Sequence, residues 1–340
     1  MSLPQLKSLY LRPEDLMFTD DELTNKFFPS FPTLESLVIV LPGSPDCRST
    51  EFVFEGMDLK LSLPELKYFE FISAEDSYRG LVKGSNSEVT LNAPSLSSFI
   101  LDSYMSTSFT LENLSSLVTA DSEINIYRED EYYDEIQEDV KELDAQRFVG
   151  FFRGVHKVKV LTLRRSFMLL ELLIYLDSQQ LVFYNLQRLE LWTNFSKDCL
   201  HSILYILKMS PNIESVSLKI SQPYYDEQNP HFIEKRKEYP YCDEVKFNTE
   251  NIGDYWDTGF SLRCMICHLK FVKIKGLLGC VDELKFLEIL FKHAAVLEKV
   301  VLASDSSKQD SLRKKRMKKF SEMLLTFPRA SKNIIILCRF

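Results

Sequence analysis

Cys264, Cys267 and His268 stand at C-x-x-C-H spacing in the run Cys264-Met265-Ile266-Cys267-His268, the pattern by which c-type haem is attached. Haem attachment belongs to exported or organellar chains. The sequence opens MSLPQLKSLYLRPEDL, with charge and proline where a targeting segment would be apolar. A zinc site asks for two more ligands, and Cys280 and His293 are close in sequence alone. The run also overlaps the start of an apolar alternation, where Cys behaves as a small buried hydrophobe. Core packing is the expected role, and haem or metal binding through Cys264, Cys267 and His268 is the lesser alternative. No cofactor is expected.

Two charge clusters invite chemistry as well. Nine acids lie in the stretch 127–144, but their spacing does not fit D-x-[DN]-x-[DN]-G, so an acidic solvated loop running into a helix over 140–152 is expected rather than a calcium loop. The basic run Arg313-Lys314-Lys315-Arg316 with Lys318-Lys319 would suit a nuclear signal or a nucleic-acid patch. Leu312, Met317, Phe320, Leu324 and Phe327 supply an apolar stripe at helical spacing there, so the lysines read as the wet face of a helix. G-x-S-x-G, G-x-x-x-x-G-K-[ST] and H-E-x-x-H are all absent from the sequence. The histidines stand isolated, and no catalytic site is expected.

The element that must position everything else is a repeated phrase. Leu63–Phe71 reads LPELKYFEF, and it returns as LPQLKSLYL from Leu3, FPTLESLVI from Phe31 and APSLSSFIL from Ala93. Looser copies place anchors at Leu114, Val158, Leu186, Ile213, Leu269 and Leu297 after the clear ones at Leu6, Leu34, Leu66 and Leu96. Six of the steps between anchors are 27 to 32 residues, near the leucine-rich-repeat period of roughly 20–29. L-x-x-L-x-L is too short for a helix, and its closing alternation puts two apolar side chains on one face of a strand. The preceding Pro has no N–H to donate, which places it at the start of the strand or in the turn before it. One strand with its return leg cannot bury its own apolar face, whereas stacked neighbours can. The expected fold is therefore α/β: a leucine-rich-repeat solenoid with a curved parallel sheet and helices and loops on the convex side. Its N-terminal half should be rich in strand and loop, because Leu96 and Leu114 are too close for a helix between them.

Composition fits that picture. The 340 residues are 45% hydrophobic with a formal charge of −8, which argues against a dedicated nucleic-acid binder. Seven Cys spread along the chain do not form a disulfide framework, and no apolar run reaches the length of a membrane span. A cytoplasmic or nuclear protein is expected. The opening residues already belong to a repeat strand without a cap, so the N-terminus reads as a break in a longer architecture, a truncated gene model included. The segment 221–261, with Pro223, Pro230 and Pro240, breaks the rhythm and reads as an insertion.

The last part of the chain carries a family resemblance. Cys264, Leu269-Lys270, Val272, Gly276, Asp282-Glu283-Leu284, Leu290, His293-Ala294, Leu297-Glu298-Lys299 and Pro328-Arg329-Ala330-Ser331 together resemble the FBD domain of plant F-box proteins. In that family an F-box precedes leucine-rich repeats and the FBD domain. The resemblance implies a repeat region over 1–262 and an FBD domain over 263–340 that continues the solenoid. It further implies the substrate-recognition half of a ubiquitin-ligase receptor. The family's F-box, which docks a Skp-type adaptor, has no counterpart in these residues, so adaptor binding is not expected. A ligase-independent scaffold or decoy is the alternative.

For such a module, function lies on the concave sheet. The side chains between the core positions point away from the core, which nominates Tyr10, Arg12, Tyr68, Glu70, Thr162, Arg164, Arg188, Glu190, Trp192, Lys219, Lys273 and Lys275. Trp and Arg are the types that dominate interface energetics. The later strands are richer in Lys and Arg, which predicts a protein partner with an acidic segment, and neither nucleic acid nor membrane.

Overall fold

The computed structural model describes residues 3–12, 26–41, 58–73, 87–104, 107–125, 138–164, 181–193, 197–220, 266–304 and 311–340. The acidic stretch up to 137, a strand expected at 51–55, a helix expected at 168–177, the insertion at 221–261, the boundary at 262/263 and Cys264 lie outside those residues. The chain divides into two compact units, Met1–Leu186 and Gln187–Phe340.

Each phrase opens with a turn. In Leu63-Pro64-Glu65-Leu66 the Leu66 N–H donates to the Leu63 carbonyl at 3.2 Å, so Pro64 holds the second turn position, where its fixed φ fits and its missing N–H is not needed. The same closure joins Leu34 to Phe31, Leu96 to Ala93, Val158 to Val155, Ile213 to Ser210, Leu269 to Ile266 and Leu297 to Ala294. One expectation shifts by three residues. In the fifth copy Leu117 N–H donates to Leu114 O, so Leu117 is the anchor and Leu114 opens the turn. Both leucines are buried and no Pro marks the turn, which is why spacing alone mistook one for the other.

In the first unit the strands β1 (Ser8–Leu11), β2 (Ser36–Leu41), β4 (Tyr68–Ser73), β6 (Ser98–Tyr104), β8 (Thr119–Asn125) and β9 (Val160–Arg164) are parallel neighbours in that order. Their register aligns one inward row, Leu9–Leu37–Phe69–Phe99–Ala120–Leu161, and Phe69 stacks on Phe99 with centroids 5.8 Å apart. A shared carbonyl interlocks successive rungs: Lys7 O accepts both the Glu35 and Ser36 N–H, at 2.8 and 2.9 Å, and Glu35 O accepts those of Lys67 and Tyr68. A one-residue slip would break every such fork and turn the inward row outward.

Three return legs of this unit are strands. β3 (Asp58–Ser62), β5 (Ser87–Asn92) and β7 (Thr107–Glu112) form a second parallel sheet that buries Leu59, Leu61, Val89, Leu91 and Phe109. Helix α1 (Glu138–Val155) packs against β7. The contact is close at Gly154, where a Cβ would stand 2.5 Å from the Leu111 side chain. Phe152 is fully buried and meets Phe148, Phe151 and Phe183 edge-on.

In the second unit β10 (Arg188–Thr193), β11 (Ser215–Ile220), β12 (Phe271–Leu277), β13 (Lys299–Ser304) and β14 (Ile335–Arg339) are parallel neighbours in that order. Its return legs hold helices α2 (Lys197–Lys208), α3 (Val281–His293) and α4 (Ser311–Thr326). Met317, Phe320 and Leu324 of α4 are buried while Lys314, Lys315, Lys318 and Lys319 are exposed, so these four lysines form a wet helix face. The architecture is α/β and of leucine-rich-repeat type. No described helix is long and apolar enough to cross a membrane.

Candidate partner-binding faces

Alternation along each strand sends every second side chain away from the core, and the register sorts these into rows. In the first unit one row runs Tyr10–Val38–Glu70–Ile100–Asp121–Thr162, and the next holds Asp102, Glu123 and Arg164. Tyr10 is 62% exposed, and Arg12 is exposed just beyond β1. Tyr68 donates its hydroxyl to Glu70 two residues on. Burial first, and then that bond, push the Tyr68 hydroxyl up to about 12. Arg164 is ion-paired with Asp121 on the neighbouring strand. It thereby neutralises an acid of its own face. Acids and apolar side chains dominate this face.

In the second unit the rows are Arg188–Ser215–Phe271–Lys299–Ile335, Glu190–Ser217–Lys273–Val301–Leu337 and Trp192–Lys219–Lys275–Ala303–Arg339. Trp192 donates its indole N–H to Glu190 at 3.3 Å, and Lys219 lies over the Trp192 ring with its Nζ 3.4 Å from the centroid. The three residues form one block, because register sets Lys219 beside Trp192 across 27 positions of sequence. Lys273 and Lys275 form no ion pair among the described residues, and Arg188 and Glu190 are exposed. Arg339 extends the basic row and was not foreseen, since its place depends on the β13–β14 register. Residues 266–340 hold sixteen Lys and Arg against seven Asp and Glu, a formal +9 in a chain whose total is −8.

No group of three or more His, Cys, Asp or Glu among the described residues is placed to hold a metal. Cys267 and His268 are exposed in the turn before β12, and Cys280 is buried ahead of α3. A cavity of about 10 Å³ between β6, β7 and α1, lined by Ser103, Arg147 and Phe151 among others, has room for a single water.

The residues that carried the FBD resemblance are scaffold. Gly276 has φ +84° beside a bulge in β12, and a Cβ there would come 2.4 Å from the Ile220 carbonyl oxygen. Glu283 is buried in the first turn of α3 and accepts the N–H groups of Leu278, Gly279 and Cys280 at 2.9, 2.7 and 3.0 Å. Burial still pushes its carboxyl up to about 7 against those three donors. Ser331 donates to the Leu297 carbonyl at 2.6 Å and Ala330 N–H to that of Phe291 at 2.8 Å, fixing the approach to β14.

The FBD family model matches residues 260–302. An F-box/FBD/LRR-repeat protein of Arabidopsis thaliana is 25% identical over 313 residues, which cover 91% of this chain and 58% of the relative. A second F-box/FBD/LRR-repeat protein of that plant is 26% identical over 144 residues, 42% of this chain and 27% of the relative. The chain thus spans less than two thirds of the length of either. It is similar to these plant F-box/FBD/LRR-repeat proteins, with repeat rungs in both compact units and the FBD match falling in the second.

Proposed function

We propose that the chain is a non-catalytic protein-recognition module, the target-binding part of an F-box-type ubiquitin-ligase receptor. It acts in the cytoplasm or nucleus and captures an acidic segment of its target on the outward face of the second unit. The observation that carries this reading is the row Trp192–Lys219–Lys275 with Lys273 beside it. Lys219 and Trp192 form a cation–aromatic block, while next to it Lys273 and Lys275 present charge that no acid among the described residues pairs. Aromatic anchors beside unpaired cations are the arrangement from which interface energy is drawn. A Skp-type adaptor is not a partner of these residues. Affinity capture from plant extract with the full chain as bait, compared with Lys273→Glu/Lys275→Glu, tests the proposal. Targets captured by the wild type and lost by the double variant support it, and an identical set overturns it.

A further inference from the structure

The outer edge of the second unit's sheet points to a second interaction surface, at the border of the face just described. Among the described strands β14 pairs with β13 alone. Ile335 N–H donates toward β13, to the Glu298 carbonyl at 2.8 Å. Because N–H and C=O of one residue point to the same side of a strand and alternate along it, Leu337 and Arg339 also face β13, while Ile336 and Cys338 turn their N–H and C=O to the open edge.

The side chains of this edge are apolar on both sides of the sheet. Ile335 is 57% and Leu337 37% exposed on the outward side, and on the inner side Ile336 is half-buried and Cys338 exposed. The run Ile334-Ile335-Ile336-Leu337-Cys338 has no Pro, Gly or charge within it, so it lacks the devices by which exposed edges are usually blunted. Cations stand at its ends, Lys332 before it and Arg339 after it, with Lys299 beside Ile335 on β13.

We infer that β14 is a docking edge for an extended segment of a partner protein. The segment adds as a further strand, with consecutive apolar residues flanked by acids. The unpaired backbone groups of Ile336 and Cys338 supply its hydrogen bonds, both apolar sides of β14 supply its burial, and Lys332, Arg339 and Lys299 meet its acidic ends. A second copy of this chain fits less well, because pairing β14 with itself sets Lys332 and Arg339 of one copy beside those of the other.

The test is calorimetric titration of the full chain with the capped peptide Asp-Glu-Val-Thr-Val-Ile-Val-Asp-Glu. Two controls are the same peptide N-methylated at alternate residues on either register, and a version with Lys at the four acidic positions. The intact peptide is expected to bind, with both controls at least about tenfold weaker. Ile336→Pro, which removes an edge-facing N–H together with the isoleucine side chain, should weaken binding by a similar factor with its circular dichroism unchanged, and Ile336→Val, which keeps the N–H, should bind within about twofold of the wild type. Lys273→Glu/Lys275→Glu should leave peptide binding intact, so the failure of this inference and that of the face proposal are told apart. No binding up to about 1 mM, or equal binding of the N-methylated peptides, overturns the inference. So does a concentration-dependent dimer in light scattering that Ile336→Pro abolishes, since the edge would then belong to a second copy.

Discussion

The two units use one strand and two return legs. In the first, three returns are filled by β3, β5 and β7 and the last by α1, and the outward face carries acids and apolar residues with Arg164 already held by Asp121. In the second, the described returns hold helices α2, α3 and α4, and Lys273 and Lys275 of the outward face have no acidic partner among the described residues. The inward rows and forked carbonyls are nevertheless alike in both. The L-x-x-L-x-L phrase therefore specifies the rung by itself. What lies between phrases decides only whether a strand or a helix closes it, and the residues between the leucines decide what the face can bind.

Helix α1 closes the last rung of the first unit, and its aromatic centre should be costly to remove. Phe152→Ala is expected to destabilise by about 3–5 kcal/mol in denaturant unfolding; a cost under about 1 kcal/mol would show the layer to be loose. Two glycines sharpen the contrast with opposite signs. Gly276→Ala in the second unit places a Cβ against the Ile220 carbonyl at positive φ and should cost about 1–3 kcal/mol. Gly150→Ala in α1 of the first unit meets nothing within 4 Å and should stabilise by about 0.5–1 kcal/mol. Equal effects at the two sites would contradict the local geometry of both.

Two carboxylates give the smallest effects and again oppose each other. Glu283 has its folded value raised to about 7 from 4.5, so its contribution is fully present below about 4.5 and is lost as pH rises through 7. Glu35, bridging Lys7 and Lys67 at 2.8 and 2.7 Å, is lowered to about 2 by its bonds to Lys67 and then Lys7. Its contribution is present above 4.5 and fades as pH falls toward 2, shallowly because the cluster is exposed to solvent. Stability measured against pH should lose its fall between 4.5 and 7 in Glu283→Gln, and Glu35→Gln should alter only the acid limb. A Glu283→Gln profile that follows the wild type would remove the first claim.

The rungs were readable in the sequence because each depends on a local pattern. Nine of the ten nominated anchors are buried and Leu6 partly so, although Leu114 had to yield its place to Leu117. The helices at 138–155 and 311–326 fall where apolar periodicity set them, within a few residues. The second sheet was mostly not legible: β3 and β7 are short and half polar, and their strand identity comes from stacking on neighbours. The faces were legible only as lists. Which residues of a list touch is a matter of register, and Arg164 with Asp121, or Trp192 with Lys219, lie 43 and 27 positions apart.

The most direct measurement is paired charge reversal with capture from plant extract, full chain in every arm. Lys219→Glu/Lys273→Glu/Lys275→Glu in the second unit should abolish target capture, while Asp102→Lys/Glu123→Lys in the first should leave it within about twofold. Capture that survives the lysine reversal and fails with the acid reversal would place recognition on the other face and contradict the account.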